Sequence, residues 1–218
     1  MVALSRAIKR ILDPILALFL LVLLAPLFLA ISLWILLDSG RPTMFGQPRA
    51  GKDGKPFRMR KFRTMVTDAV ELGRRLGISD DPFGLVPNDP RITRSGRFLR
   101  RTSLDELPQL VNVLKREMSL VGPRPDLLEQ VANYEPADRR RLAVRPGITG
   151  WSQVQGRDGI PWPVRFEQDA WYVENWSLWL DLKILLLTLA QPFRPEPEPI
   201  EDTLNIERAR KASSAPRP

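Results

Sequence analysis

The run Ile15-Leu16-Ala17-Leu18-Phe19-Leu20-Leu21-Val22-Leu23-Leu24-Ala25-Pro26-Leu27-Phe28-Leu29-Ala30-Ile31-Ser32-Leu33-Trp34-Ile35-Leu36-Leu37 carries no charge and a single hydroxyl. As one straight helix at ~1.5 Å per residue it would reach ~35 Å, enough to cross the hydrocarbon core of a bilayer. A cleaved signal peptide fits poorly, because the apolar run is too long and no Ala-x-Ala site follows it. Pro26, near the middle, removes a helix hydrogen bond and favours a kink. Arg6, Lys9 and Arg10 precede the run, and Arg41, Arg49, Lys52, Lys55, Arg58, Arg60, Lys61 and Arg63 follow it. A single spanning helix would put one of these basic sets across the membrane, against the positive-inside tendency. A hairpin that enters, breaks at Pro26 and returns keeps both on the cytoplasmic side, with arms of ~11 residues or ~17 Å. Its exposed backbone at the break must then be covered by neighbouring groups. The residues alone leave spanning and re-entry both open.

Composition narrows what the remaining chain can do. The 218 residues carry a net charge of +8, which calls for an anionic partner such as nucleic acid, lipid headgroups or a phosphorylated substrate. There is no cysteine and no histidine. Disulfides, thiolate nucleophiles and the commonest general base are thereby excluded, and catalysis must rest on carboxylates, Lys, Arg, Tyr or hydroxyls.

Beyond the apolar run, residues 43–47 and 57–64 read as two short strands around Gly51-Lys52-Asp53-Gly54-Lys55, where Asp53-Gly54 suits a tight turn. A phosphate loop is excluded there: only two residues separate the glycines, and Pro56 follows the lysine where Ser or Thr is needed. Residues 67–76 have helical spacing and 80–90 are turn-rich. Gly96 to Arg101 leads into a helix expected from Asp105 to Arg116. Residues 126–142 suggest helical pieces broken around Pro136, residues 145–163 form a Gly/Pro/Trp-rich loop region, and residues 176–190 an apolar core or interfacial helix.

The chemistry concentrates in Arg100-Arg101-Thr102-Ser103-Leu104-Asp105-Glu106-Leu107-Pro108-Gln109. Ser103 and Glu106 have capping-box spacing, so this stretch reads first as a helix start, with both carboxylates in the first turn. That position should keep Asp105 ionised and suits phosphate. Adjacent helical residues diverge by ~100°, so the two carboxylates do not face each other as a pair sharing one proton. Together with a substrate pyrophosphate they suggest Mg²⁺. In Gly122-Pro123-Arg124-Pro125 two prolines fix the backbone around Arg124, which presents its guanidinium to a phosphate or forms an ion pair with Asp126. Arg139-Arg140-Arg141 reads as a solvated or headgroup-facing surface.

These segments together resemble the small monotopic phosphoglycosyl transferases, the bacterial sugar transferase family. The matching stretches are Lys9-Arg10 with Asp13, Arg60-Lys61-Phe62-Arg63-Thr64-Met65, Asp89-Pro90-Arg91-Ile92-Thr93, Arg100 through Leu110 and Met118 through Pro125. They continue with Arg145-Pro146-Gly147-Ile148-Thr149-Gly150-Trp151, Gln153 through Arg157, and Phe166-Glu167 with Asp169 and Tyr172-Val173. The resemblance runs in order from about residue 5 to residue 190. It implies an α/β fold in three parts. These are a re-entrant membrane helix-break-helix over residues 1–40, a compact, mostly helical catalytic domain with a small β-hairpin and interfacial helices over 41–191, and a disordered Pro-rich tail over 192–218. The family's break is often Ser-Pro, and here it is Ala25-Pro26.

The resemblance further implies that Asp105 attacks the β-phosphate of a UDP-sugar, releases UMP and holds the phosphosugar until polyprenol phosphate takes it. Asp105 and Glu106 would also hold Mg²⁺, with Glu106 serving as metal ligand or proton-handling partner. Lys61, Arg100, Arg101 and Arg124 are candidate phosphate ligands, and Arg145, Gln153, Arg157, Glu167 and Asp169 match further motif positions with substrate-binding roles. The implied setting is the cytoplasmic face of the bacterial inner membrane, in contact with anionic lipids, at the first step of capsule, O-antigen, exopolysaccharide or glycoprotein glycan assembly. A homodimer is left open. A nucleic-acid partner fits badly, because the arginines alternate with Pro, Gly and carboxylates rather than with stacking aromatics. A non-catalytic membrane scaffold gives no reason for the carboxylate pair, and a glycosyltransferase releasing a nucleoside diphosphate is the remaining rival.

Overall fold

The apolar run folds as the second part of a longer, broken helix pair. In the computed structural model, which describes residues 2–78, 88–156 and 160–190, helix α1 spans Val2–Leu23 and α2 spans Ala25–Ser39. The two axes bend by 62° at Leu24, and no single helix among the described residues is long and apolar enough to cross a membrane. The break lies where Pro26 demands it: α2 begins at Ala25, so the proline occupies its first turn, where a missing N–H costs nothing. The first arm is longer than the apolar run suggests, because α1 continues back through Pro14 and Asp13 to Val2. The outer faces of both arms are apolar, with Leu18, Phe19, Val22, Leu29, Leu33 and Leu37 all exposed. An apolar surface of that extent marks an interaction with something other than water.

Polar contacts tie each arm to the rest of the chain. Strands β1 (Met44–Ala50) and β2 (Pro56–Phe62) pair antiparallel, and the connection between them places Asp53 and Gly54 both at positive φ. Asp-Gly tolerates that conformation, which accounts for the turn. Just past β2, buried Arg63 donates from Nη2 to Ser39 O (2.7 Å), Ser39 Oγ (2.8 Å) and Gly40 O (2.7 Å). A cation thus closes the C-terminal carbonyls of α2. Asp38 in turn accepts from the N–H and hydroxyl of Ser95, at 2.9 and 2.7 Å, in the first turn of α4 (Arg94–Thr102). These bonds hold down the Asp38 carboxyl, chiefly through the Ser95 backbone. Ile31 and Ile35 of α2 then bury against Phe62 and Leu99.

After α3 (Ala69–Arg75) and α4 come the short α5 (Gln109–Leu114), strand β3 (Ser119–Val121), α6 (Leu128–Ala132) and strand β4 (Gly147–Thr149). Helices α7 (Trp151–Gly156), α8 (Trp162–Glu174) and α9 (Leu178–Ala190) complete the described chain. Helix α1 packs on α5 and reaches β3 and α9 through partly buried polar contacts. Lys9 Nζ lies 2.5 Å from Asp181 Oδ2, and Ser119 Oγ donates to Asp13 at 2.5 Å. Tyr172 and Trp176 also donate to Asp181, at 2.7 and 3.1 Å. The main core gathers Ala17, Met59, Leu110, Val113, Met118, Val121, Tyr172 and Ile184 around this contact.

The architecture is mostly helical with a small β-hairpin, as expected, but several local readings change. A second, parallel pair joins β3, for which the sequence predicts no strand, to β4, in the region read as loop. The Gly/Pro/Trp-rich region holds β4, α7 and the start of α8. The helix expected from Asp105 to Arg116 is instead a 3-10 turn, Leu104–Glu106, followed by α5 from Gln109. Ser103 adopts φ 57° and ends α4 rather than capping a new helix, so no capping box forms. Most of the turn-rich segment 80–90, the tail 192–218 and Arg157 lie outside the described residues.

Candidate active site

Asp105 and Glu106 sit on the tight turn between α4 and α5, and three elements direct cations at them. From β2, Lys61 Nζ lies 2.9 Å from Glu106 Oε1 and 3.8 Å from Asp105 Oδ2. From the loop after β3, Arg124 Nη2 lies 2.9 Å from the same Glu106 oxygen. From α4, Arg100 anchors its Nε on Thr64 Oγ1 at 2.9 Å. Asp105 is 7% exposed, so its carboxylate is almost withdrawn from water yet still reachable.

The two carboxyls differ in electrostatics because their partners differ. Burial pushes the Asp105 carboxyl above its ordinary value; Lys61 pulls it down, Glu106 pushes it up, and Arg124 and Arg100 pull it down further. Burial also opposes the charge on Glu106, but Arg124 and Lys61 together outweigh it and hold that carboxyl well below the usual carboxylate range. The expectation that a helix N-terminus keeps Asp105 ionised therefore gives way to a different cause. Helix α5 starts four residues later and has six residues, and the cations of Lys61, Arg124 and Arg100 do the work. Glu106 is fixed as an anion that organises two cations, whereas Asp105 is the poorly solvated and more basic carboxylate.

The loop carrying Arg124 is built from behind. A methyl group on Gly122, Gly147 or Gly150 would collide with backbone of the facing segment, so the two glycine-containing motifs exist to let their main chains touch. Gln153, on α7, lies against Gly150 and donates to Ile148 O at 3.2 Å. Beneath the loop, Arg141 is 2% exposed. Its guanidinium engages Asp126 and the Tyr134 hydroxyl, donates to Asp169 from Nε at 3.0 Å and Nη2 at 2.5 Å, and donates to Arg124 O at 2.9 Å. Two readings of the sequence are corrected here. Asp126 pairs with Arg141, not with Arg124, and Arg141 is a buried cation rather than a surface charge, although Arg139 and Arg140 remain exposed.

The other candidates divide by position. Asp169 is fully buried on Arg141 and the Ser152 hydroxyl (2.7 Å), where it supports the Arg124 loop and is not brought to the dyad. Glu167 is exposed on α8, and Arg101 is exposed one residue past Arg100. Arg145 lies near Arg10, Arg116 and Asp13 at the base of α1; burial and the neighbouring Arg10 and Arg116 hold its pKa down. The sequence reading overlooked Arg49. Register pairs Phe45 with Lys61 and Gln47 with Met59, so Gln47 and Arg49 share the strand face that carries Lys61. That period-2 relation was available once the hairpin was recognised.

Comparison with known proteins places these residues within a family. The chain matches the bacterial sugar transferase family over residues 4–195. It is 46% identical to the sugar transferase EpsL of Bacillus subtilis over 84% of this chain and 85% of that protein. It is 42% identical to the undecaprenyl-phosphate galactose phosphotransferase of Salmonella typhimurium over 84% of this chain, and 40% identical to the UDP-glucose:undecaprenyl-phosphate glucose-1-phosphate transferase of Escherichia coli over 87%. It spans only 40% and 41% of the length of these last two. The carboxylate pair, its cations and the glycine-locked Arg124 loop all fall within the matched residues, and the chain belongs to the bacterial sugar transferase family.

Proposed function

We propose that this protein transfers a sugar phosphate from a UDP-sugar to undecaprenyl phosphate, with Asp105 as the nucleophile. One observation carries the reading: a nearly buried carboxylate lies beside a second whose charge is already committed to Lys61 and Arg124. An Asp105 oxygen forms a bond to the β-phosphorus. The bond from that phosphorus to the bridging oxygen breaks, and its electron pair leaves on UMP. An oxygen of the polyprenol phosphate then attacks the same phosphorus and frees the Asp105 carboxylate. Neither step requires a proton from Glu106, which fits a carboxyl held ionised by Arg124 and Lys61. Its role is to place Lys61 and Arg124 where phosphate charge gathers.

Asp105 and Glu106 would hold Mg²⁺. They offer hard oxygen donors, and no third acidic group joins them among the described residues, so phosphate oxygens and water would complete the coordination. The ion would supply neutralisation of phosphate charge. The bent helix pair and its apolar outer faces support re-entry from the cytoplasmic face, with Arg6, Arg10 and Arg41 exposed toward anionic headgroups.

The test uses donor labelled in the β-phosphate without acceptor. Label should appear on the protein in a bond labile to hydroxylamine, with UMP as the released nucleotide. Asp105→Asn should abolish both labelling and turnover. UDP as the sole nucleotide product would establish glycosyl transfer instead. UMP release by a fully active Asp105→Asn enzyme would keep the reaction and remove the nucleophile.

A further inference from the structure

Arg49 is a cation with no ion-pair partner among the described residues. Its Nη2 donates to Gln47 Oε1 at 2.8 Å and its Nη1 to Pro125 O at 3.3 Å, both neutral acceptors. Its Nε is buried with no hydrogen-bond partner, and no carboxylate forms an ion pair with it among the described residues. Burial and the neighbouring Arg124 together depress its pKa to about 10, while Asp126 and Glu106 only partly offset them. A desolvated guanidinium beside a like charge is costly, and such an arrangement is retained where a ligand supplies the missing charge. The backbone is arranged to hold it there. Ala50 N–H donates to Asp126 O at 2.9 Å, which pins the end of β1 to the loop that carries Arg124.

The placement selects the ligand. Arg124 and Lys61 converge on Glu106 next to Asp105, where the phosphorus under attack must lie. Arg49 stands within electrostatic reach of both Arg124 and Glu106 and donates to the residue that follows Arg124 in the same loop. For a diphosphate held at Asp105 by Lys61 and Arg124, Arg49 is a further cation beside Arg124 that the second phosphate can use. We propose that the guanidinium of Arg49, oriented by Gln47, binds the phosphate that departs with the nucleotide. This rests on the phosphosugar-transfer reading above. It gives Arg49 a share in donor binding and in stabilising the leaving group, and none in the acceptor step, which takes place after the nucleotide has gone.

The two half-reactions separate the possibilities. In the full-length protein in lipid nanodiscs, Arg49→Gln should raise the UDP-sugar KM for β-phosphate labelling by about tenfold or more, as befits loss of a charge-assisted contact. Inhibition by UMP should weaken by a similar factor. Discharge of pre-labelled protein by undecaprenyl phosphate should proceed at the wild-type rate. Gln47→Glu keeps the hydrogen bond to Arg49 but cancels its charge, and should shift KM and UMP inhibition in the same direction. It carries the test if Arg49→Gln does not fold. Unchanged donor KM and UMP inhibition in both variants would overturn the proposal, as would slowing confined to the discharge step, which would place the acceptor's phosphate at Arg49. If wild-type protein takes up no label and releases UDP, the phosphosugar reading itself fails, a result distinct from normal labelling that is indifferent to Arg49.

Discussion

Replacing Arg141 by methionine removes the cation shared by Asp126 and Asp169 and leaves two carboxylates buried together. Arg141 and Asp169 are 2% and 0% exposed, so water cannot take over the lost contacts. Breaking a buried pair in this way costs about 3–5 kcal/mol. For a chain of this size that corresponds to a fall in Tm of about 10 °C, at roughly 2–4 °C per kcal/mol. The pH dependence follows from the same groups. Burial already pushes the Asp169 carboxyl above its ordinary value, opposed by Arg141 and the Ser152 hydroxyl. Without Arg141 that opposition weakens and the folded state holds protons more tightly than the unfolded chain. Stability gained this way is present at low pH and lost as pH rises through the raised value. The deficit of the variant should therefore shrink as pH is lowered from about 8 toward about 5. Thermal melts of nanodisc-embedded wild type, Arg141→Met and Arg141→Met/Asp126→Asn/Asp169→Asn measure it. The triple variant should recover a large part of the loss, because its buried groups are neutral. A single variant with unchanged Tm, a deficit that grows on acidification, or a triple variant no better than the single would refute the argument.

Lys61→Met removes the largest influence that lowers the Asp105 pKa against burial, so the acidic limb of the pH–rate profile should move to higher pH; a profile unmoved at reduced rate would exclude electrostatic support of Asp105. Arg124→Lys keeps the charge but loses the planar fork, and should retain less than about a tenth of wild-type kcat/KM for the UDP-sugar, whereas near-normal turnover would reduce Arg124 to an ion-pair role. Cysteines introduced one at a time near residues 3 and 53, in a chain with no native cysteine, should both be labelled only from the cytoplasm; labelling near residue 3 from the periplasm would establish a spanning topology. In the same assay Pro26→Ala should move a fraction of molecules toward the spanning form by restoring a helix hydrogen bond at the break.

Short-range physics was legible in the sequence. Pro26 sets the break because its ring acts on the preceding turn, and α2 duly begins one residue before it. Asp53-Gly54 sets the β1–β2 turn because both residues tolerate positive φ. The Asp105-Glu106 pair stood out because two adjacent carboxylates among arginines are chemically conspicuous, and Lys61, Arg100 and Arg124 meet them in space. Ser103 was misread because Ser-x-x-Glu spacing is shared by helix starts and by this left-handed helix end; packing of Leu104 and Leu107 against the α2–α4 core accompanies the second. Strands β3 and β4 are three residues each and separated by residues 122–146, too short for a period-2 pattern. The burial of Arg141, the supporting role of Asp169 and the uncompensated charge of Arg49 belonged to the tertiary structure alone. A charge's meaning depends on which opposite charges lie within a few ångströms and whether water remains, and in this chain those neighbours come from segments far apart in sequence.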